Sequence, residues 1–221
     1  VLIMRVLFVH QNFPAQFKFL APALAQDPQN EVVAMTMRAD APATWQGIRF
    51  VSYAAKRGST PKIHPWVGDI ETKVIRGEAA FYAAQQIKKS GFNPDVIIAH
   101  CGWGESLFLK DVWPNAKLAI YSEFYYHAQG ADVAFDPEFP SAIAEECRIR
   151  VKNLNNLLHF EVADAGISPT YWQARSLPQA FRDKITVIHD GIDTQAIKPN
   201  AQVTMRFKHQ QGEVSLSKQD Q

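Results

Sequence analysis

KLAIYSEFYYHAQGADVAFDPEFP, residues 117–140, is the stretch whose reading decides the fold. Its opening, Leu118-Ala119-Ile120-Tyr121, is a short apolar run of the kind that forms a strand buried on both faces of a parallel sheet. The run stops at Ser122 and Glu123, and Phe124, Tyr125, Tyr126 and His127 come next. An acid closing a buried strand, with hydroxyl-bearing rings behind it, suits a ligand crevice, because open α/β sheets bind beyond the carboxyl ends of their strands. The same residues also fit a capped strand whose rings fold back onto the core. Gly130, Asp132 and Asp136-Pro137-Glu138-Phe139-Pro140 then make an acidic, proline-braced loop, and long loops without structure of their own are commonly functional.

Six further apolar runs surround this strand: 5–10 (RVLFVH), 31–37 (EVVAMTM), 48–53 (IRFVSY), 95–100 (DVIIAH), 163–168 (ADAGIS) and 184–189 (KITVIH). Helical spacing lies between them. Over 15–26 it places Phe17, Leu20, Ala21 and Leu24 on one face. Asp69 caps a long helix that reaches about Ser90 and is stopped by Gly91 and Asn93-Pro94. Another helix begins at Glu105-Ser106 and runs to 112. A longer one covers 140–161 with Ile143, Cys147, Val151, Leu154, Leu157 and Leu158 as its apolar stripe, and a short one covers 170–177. This alternation predicts an α/β fold, a Rossmann-like doubly wound parallel sheet of about seven strands. Right-handed crossovers then gather the loops after the first, fourth, fifth and seventh strands along one edge. Residues 1–195 form this domain. Residues 196–221, rich in Gln and Asn and without periodicity, read as a frayed, flexible tail or the start of a linker.

A chain of 221 residues can bury a core of its own. Lys plus Arg is 23 against 22 for Asp plus Glu, so there is no basic excess to suggest a nucleic-acid partner. Cys101 and Cys147 make neither a disulfide framework nor a metal site, and they favour a reducing cytoplasm. Val1-Leu2-Ile3-Met4-Arg5 resembles neither a signal-peptide core nor an anchor, and Met4 is a candidate start.

The first-strand loop reads His10-Gln11-Asn12-Phe13-Pro14-Ala15-Gln16-Phe17, without the glycines that let backbone approach a pyrophosphate. That argues against an NAD or FAD site, and no cofactor is expected. The amides of Ala15, Gln16 and Phe17 open a helix and either meet an anion or only start the helix. In the fourth-strand loop Gly102 and Gly104 bracket Trp103, with Glu105 opening the next helix, so free N–H groups and close approach coincide. Trp103 either stacks on a ligand ring or plugs the sheet edge, and His100 is either a ligand or a structural histidine. Gly191 permits a positive-φ turn, for which Asp190 and Asp193 can serve as turn residues. The loop 54–67, with Lys56, Arg57, Lys62 and His64, is either a solvated loop or a weak peripheral contact for anionic lipid or a phosphorylated molecule.

The E-FYY segment (123–126) and the FDPEFP segment (135–140) occur with VLFVHQNFPAQFKFLAPALA at 6–25 and VIHDGID at 187–193. Together they resemble the N-terminal domain of a bacterial family 4 glycosyltransferase, of the subgroup that has those two segments, over roughly residues 4–195. Where many members have a glycine pair in the first loop, this chain has Pro14-Ala15. The resemblance implies one half of a GT-B architecture, whose second domain binds a nucleotide-sugar donor. It implies retaining transfer to a hydroxyl acceptor, a polysaccharide or glycolipid, without a covalent enzyme nucleophile. Glu123 would be the positioning group or base. His100, Gly102, Trp103, Glu105, Tyr125, Tyr126 and His127 would line the acceptor side, with at least one of the rings in the core, and Ala15, Gln16, His189 and Asp190 the donor side. Without the donor-binding domain the chain is expected to be nearly inactive. A stand-alone nucleotide- or sugar-binding module, and a protein-interaction module working through the 132–140 loop, are the other readings.

Overall fold

A computed structural model describes residues 4–131, 133–200, 202–209 and 212–217; Asp132 of the acidic loop lies outside them. The chain divides into two compact units, Val1–His189 and Asp190–Gln221. In the first unit the elements run β1 (Met4–Val9), α1 (Leu20–Ala25), β2 (Asn30–Thr36), β3 (Thr44–Trp45), β4 (Ile48–Ser52), α2 (Gly68–Lys89) and β5 (Val96–His100). They continue with α3 (Leu109–Val112), β6 (Lys117–Tyr121), α4 (Ile143–Lys152), α5 (Leu154–Val162), β7 (Ala165–Ser168), α6 (Tyr171–Ser176), α7 (Gln179–Arg182) and β8 (Ile185–Val187).

The strands form one sheet in the order β3-β4-β2-β1-β5-β6-β7-β8. Every pairing is parallel except β3 with β4. The seven expected strands are the seven parallel ones. The eighth, β3, is a two-residue edge strand, too short to show periodicity; Gln46 and Gly47, both at positive φ, turn it onto β4. The central strands read as unbroken apolar runs because both faces are covered. Leu7, Val33, Ile97 and Leu118 pack on one face, and Val6, Phe8, Val32 and Ile98 on the other. The order reverses between β1 and β5, so the crevice beyond their carboxyl ends is the expected ligand position.

The helices differ more from expectation. Residues 15–26 divide into a 3₁₀ turn (Ala15–Phe17) and α1. Asp69 does not cap α2; Val67 holds that position without a side-chain cap, and Asp69 sits in the first turn. No helix starts at Glu105: Cys101–Trp103 is a 3₁₀ turn, Gly104 reverses the chain at φ +95°, and α3 begins only at Leu109. The long helix over 140–161 is two, α4 and α5, meeting at Asn153.

Its expected apolar stripe is also corrected. Ile143 is 81% exposed, and Leu154 and Leu158 face solvent as well. Ile149, Asn153, Asn155, Asn156, His159 and Phe160 are buried instead. The reason is what α5 covers, namely loop backbone whose polar groups need partners once buried. Asn155 Nδ2 donates to the Cys101 carbonyl (2.8 Å), and Asn156 Nδ2 donates to that of Phe124 (3.1 Å). Asn153 brackets Tyr126, accepting its N–H at 3.1 Å and donating to its carbonyl at 2.8 Å.

In the second unit, where a frayed tail was expected, β9 (Thr204–His209) pairs antiparallel with β10 (Gly212–Ser217). Among the described residues no helix is long and apolar enough to cross a membrane.

Candidate active site

The site is built from the ends of β5 and β6. His100, the last residue of β5, is buried, and its Nδ1 accepts the Gly102 N–H at 3.0 Å. A Cβ on Gly102 would come within 2.7 Å of the ring Cε1, so the fold-back of this imidazole requires glycine there. With Nδ1 accepting, the neutral ring carries its proton on Nε2, which donates to Glu123 Oε2 at 3.2 Å. That hydrogen bond is the main reason the Glu123 carboxyl is held below the ordinary value; burial works the other way, and the nearness of the His100 and His10 rings adds to the lowering. Glu123 is therefore ionised at neutral pH. It stays 45% exposed, open to a ligand.

Glu123 and His100 border a cleft of about 500 Å³. Gly102 and Trp103 line it with them. Other expected residues lie elsewhere. Glu105 is 1% exposed and outside the cleft lining; neither carboxylate oxygen has a hydrogen-bond partner among the described residues, and burial pushes its carboxyl up to about 7. Tyr125 and His127 are outside the cleft lining as well. The Tyr125 N–H donates to Ser176 Oγ (3.3 Å), and His127 Nε2 donates to the Ser176 carbonyl (2.6 Å) beside a separate hollow of about 270 Å³. Tyr126, grouped with those two in the sequence reading, lines the cleft together with Phe124, since alternate residues of an extended segment face opposite ways. Ala15 and Gln16 lie in the 3₁₀ turn after β1, and His189 and Asp190 come after β8; all four are outside the cleft lining.

Several lining residues were not anticipated. α2 contributes Asp69, Thr72, Lys73 and Arg76; α4 contributes Lys152, and α5 contributes Asn155 and Asn156. α2 reaches the cleft because two glycines let it. A Cβ on Gly104 would lie 2.7 Å from Lys73 Cα, and one on Gly77 would lie 2.8 Å from the Gly104 carbonyl oxygen. Arg76 sits over the Trp103 ring (5.7 Å to the centroid), and Lys152 Nζ over that of Tyr126 (3.7 Å), so each cation is seated on an aromatic face. Cys101 lines the floor, but burial drives its thiol up to about 12, which removes it as a nucleophile.

A twisted parallel sheet with its crevice at this reversal is the Rossmann-like kind from which GT-B glycosyltransferase domains are built, and solved structures of such enzymes share it. Sucrose-phosphate synthase from Thermosynechococcus elongatus is similar at 17% identity and TM-score 0.53, over 87% of this chain and 92% of that one. The catalytic domain of starch synthase IV from Arabidopsis thaliana, bound to ADP and acarbose, gives 13% and 0.52, over 88% of this chain and 52% of that one. Phytolacca americana UGT2, complexed with UDP-2-fluoro-glucose and pterostilbene, gives 9% and 0.51, over 86% and 53%. This chain thus spans about half the length of the latter two. No curated protein matches it. Residues 28–197 match the model of the glycosyl transferase family 4 group, and the chain belongs to that family.

Proposed function

We propose that this chain is the acceptor-side domain of a retaining glycosyltransferase, in the subgroup with E-FYY and FDPEFP segments. The enzyme moves a sugar from a nucleotide-sugar donor to a hydroxyl of a polysaccharide or glycolipid. The observation that carries the reading is the Glu123–His100 pair, 3.2 Å apart, set in a cleft beyond the carboxyl ends of β5 and β6. An ionised, half-exposed carboxylate accepts a hydrogen bond from the acceptor hydroxyl, orients it and receives its proton as the glycosidic bond forms. His100 fixes that carboxylate through Nε2–H. Cys101 is not available as a nucleophile, in keeping with retention without a covalent enzyme intermediate.

The donor belongs to a second domain, as the half-length match to larger glycosyltransferase chains suggests. Ala15, Gln16, His189 and Asp190 are assigned to the donor side by the resemblance of their segments alone. The two free cysteines suit a reducing cytoplasm. Lys56 and Lys62 are exposed for a weak contact with anionic lipid, while Arg57 is taken up by Glu71 at 3.5 Å.

The test is a transfer assay with a panel of nucleotide sugars, on a protein that joins this chain to its donor-binding domain. Glu123→Gln should lower kcat by about 10²-fold or more while donor affinity holds. Unchanged kcat would overturn the role of Glu123. Turnover of a nucleotide sugar by the 221 residues alone would overturn the half-enzyme reading.

A further inference from the structure

The cleft holds more positive charge than its own carboxylates use. Lys73, Arg76 and Lys152 all line it, and none has a carboxylate within salt-bridge distance among the described residues. The two acids of the lining are already engaged: Asp69 by Arg148 (3.5 Å) and Glu123 by His100 (3.2 Å). The three cations also sense one another. Burial lowers the Lys73 pKa, and although Asp69 opposes this, Lys152 and Arg76 push it further down. A partly buried ammonium beside two like charges is an arrangement that an incoming anion relieves. Arg76 and Lys152 are seated on the Trp103 and Tyr126 rings, so the cationic groups are pre-positioned rather than trailing in solvent. A second observation concerns Asn155. Its Nδ2 is committed to the Cys101 carbonyl, and its Oδ1 is buried with no hydrogen-bond partner among the described residues. An unpaired buried acceptor therefore belongs to a residue that lines the cleft.

We propose that this cleft takes an anionic acceptor, a sugar or polyol bearing a phosphate or carboxylate, with the anion between Lys73, Arg76 and Lys152 and a hydroxyl turned to Glu123. This rests on the acceptor-side reading of the cleft, which it narrows from any hydroxyl compound to a charged one. A neutral acceptor would leave three cations unmatched. A phosphate at the same place could instead come from the donor diphosphate, and the test separates the two sources.

The experiment is calorimetric titration of the 221-residue chain with glucose 6-phosphate, glucuronate, methyl glucoside and UDP, which scores binding independently of transfer. The sugar phosphate should bind at least about tenfold more tightly than methyl glucoside, since hydrogen bonds between ionised groups are the stronger ones. Arg76→Gln and Lys152→Gln should each weaken the phosphate about tenfold and leave methyl glucoside unchanged, whereas Lys89→Gln, at the exposed end of α2 outside the cleft, should change neither. Glu123→Gln should keep the phosphate bound, so loss of transfer in that variant leaves this result standing. Equal binding of charged and neutral sugars, phosphate binding indifferent to Arg76 and Lys152, or no saturable binding by any of the anions would each overturn the proposal. UDP competing with the sugar phosphate, with the same dependence on Arg76 and Lys152, would assign the pocket to the donor and overturn it as an acceptor feature.

Discussion

His10, just past β1, and His100, at the end of β5, stand on neighbouring strands with their rings edge to face at 5.2 Å. Both are buried, and each accepts at Nδ1 the N–H of the residue two further on, Asn12 at 2.9 Å and Gly102 at 3.0 Å. The loops that leave them differ. After His10 the chain brings Phe13 and Phe17 under the sheet, where both are buried and pack on Phe8, so the space fills. Burial, then the neighbouring His100, lowers the His10 pKa to about 4, and the ring stays neutral. After His100 come Gly102 and Gly104, the space stays open, and Nε2 meets Glu123. One imidazole is a structural plug and the other serves a cleft, although their backbone settings match. A histidine at a strand end thus becomes a site only where the next loop leaves room.

The most drastic way to break the comparison is to fill the open loop. Gly104→Val forces a β-branched side chain into positive φ and against α2, and should cost about 3–5 kcal/mol in urea denaturation, strain and overpacking together. A midpoint close to that of the native chain would show that α2 can retreat freely. Next comes the acid buried behind the cleft. The Glu105 carboxyl is raised to about 7 from 4.5, so the folded state holds a proton that the unfolded chain has released between those values. Stability therefore falls as pH climbs through that window and stays low above it. Glu105→Gln should stabilise the fold by about 3 kcal/mol at about pH 8 and by little near pH 4.5, measured as paired melts across pH.

Removing the partners of Glu123 sharpens the contrast between the two histidines. His100→Ala takes away the hydrogen bond that lowers the Glu123 pKa, so the acid limb of the transfer pH profile should move up toward the ordinary glutamate value of 4.5. His10→Asn removes only the smallest of the lowering influences and should move that limb less. Equal shifts would mean that the two rings act as one group. The smallest effect belongs to the filled loop. Ala15 sits at φ +39°, which a side chain tolerates poorly, and Ala15→Gly should be neutral or stabilise by up to about 1 kcal/mol in the same denaturation assay.

The strands were legible because a parallel sheet covered on both faces writes itself as uninterrupted apolar runs, and each of the seven runs is a strand. Of the cleft, the part carried by strand ends was legible too: His100, Gly102, Trp103 and Glu123 adjoin β5 and β6. The helices were not, for two reasons. Asn155, Asn156 and His159 are buried to serve loop backbone and each other's shell, and apolar periodicity is blind to a polar inward face. Lys73 and Arg76 look like any solvated helix charges, and their place in the cleft depends on Gly77 and Gly104, residues more than twenty positions apart that meet only in the fold. Sequence could not say which rings of the 124–127 segment face the cleft: Phe124 and Tyr126 line it while Tyr125 and His127 do not, and Asn153, from the break between α4 and α5, holds that register.

The near-contact of Gly104 with α2 has a consequence for how relatives of this chain can diverge. Any side chain at Gly104 or Gly77 would push α2 outward and carry Lys73 and Arg76 with it. Breadth and charge of the pocket would then change together, in one substitution. A descendant with a roomier pocket would also be a less cationic one, so selectivity for size and for charge would be inherited as a single trait.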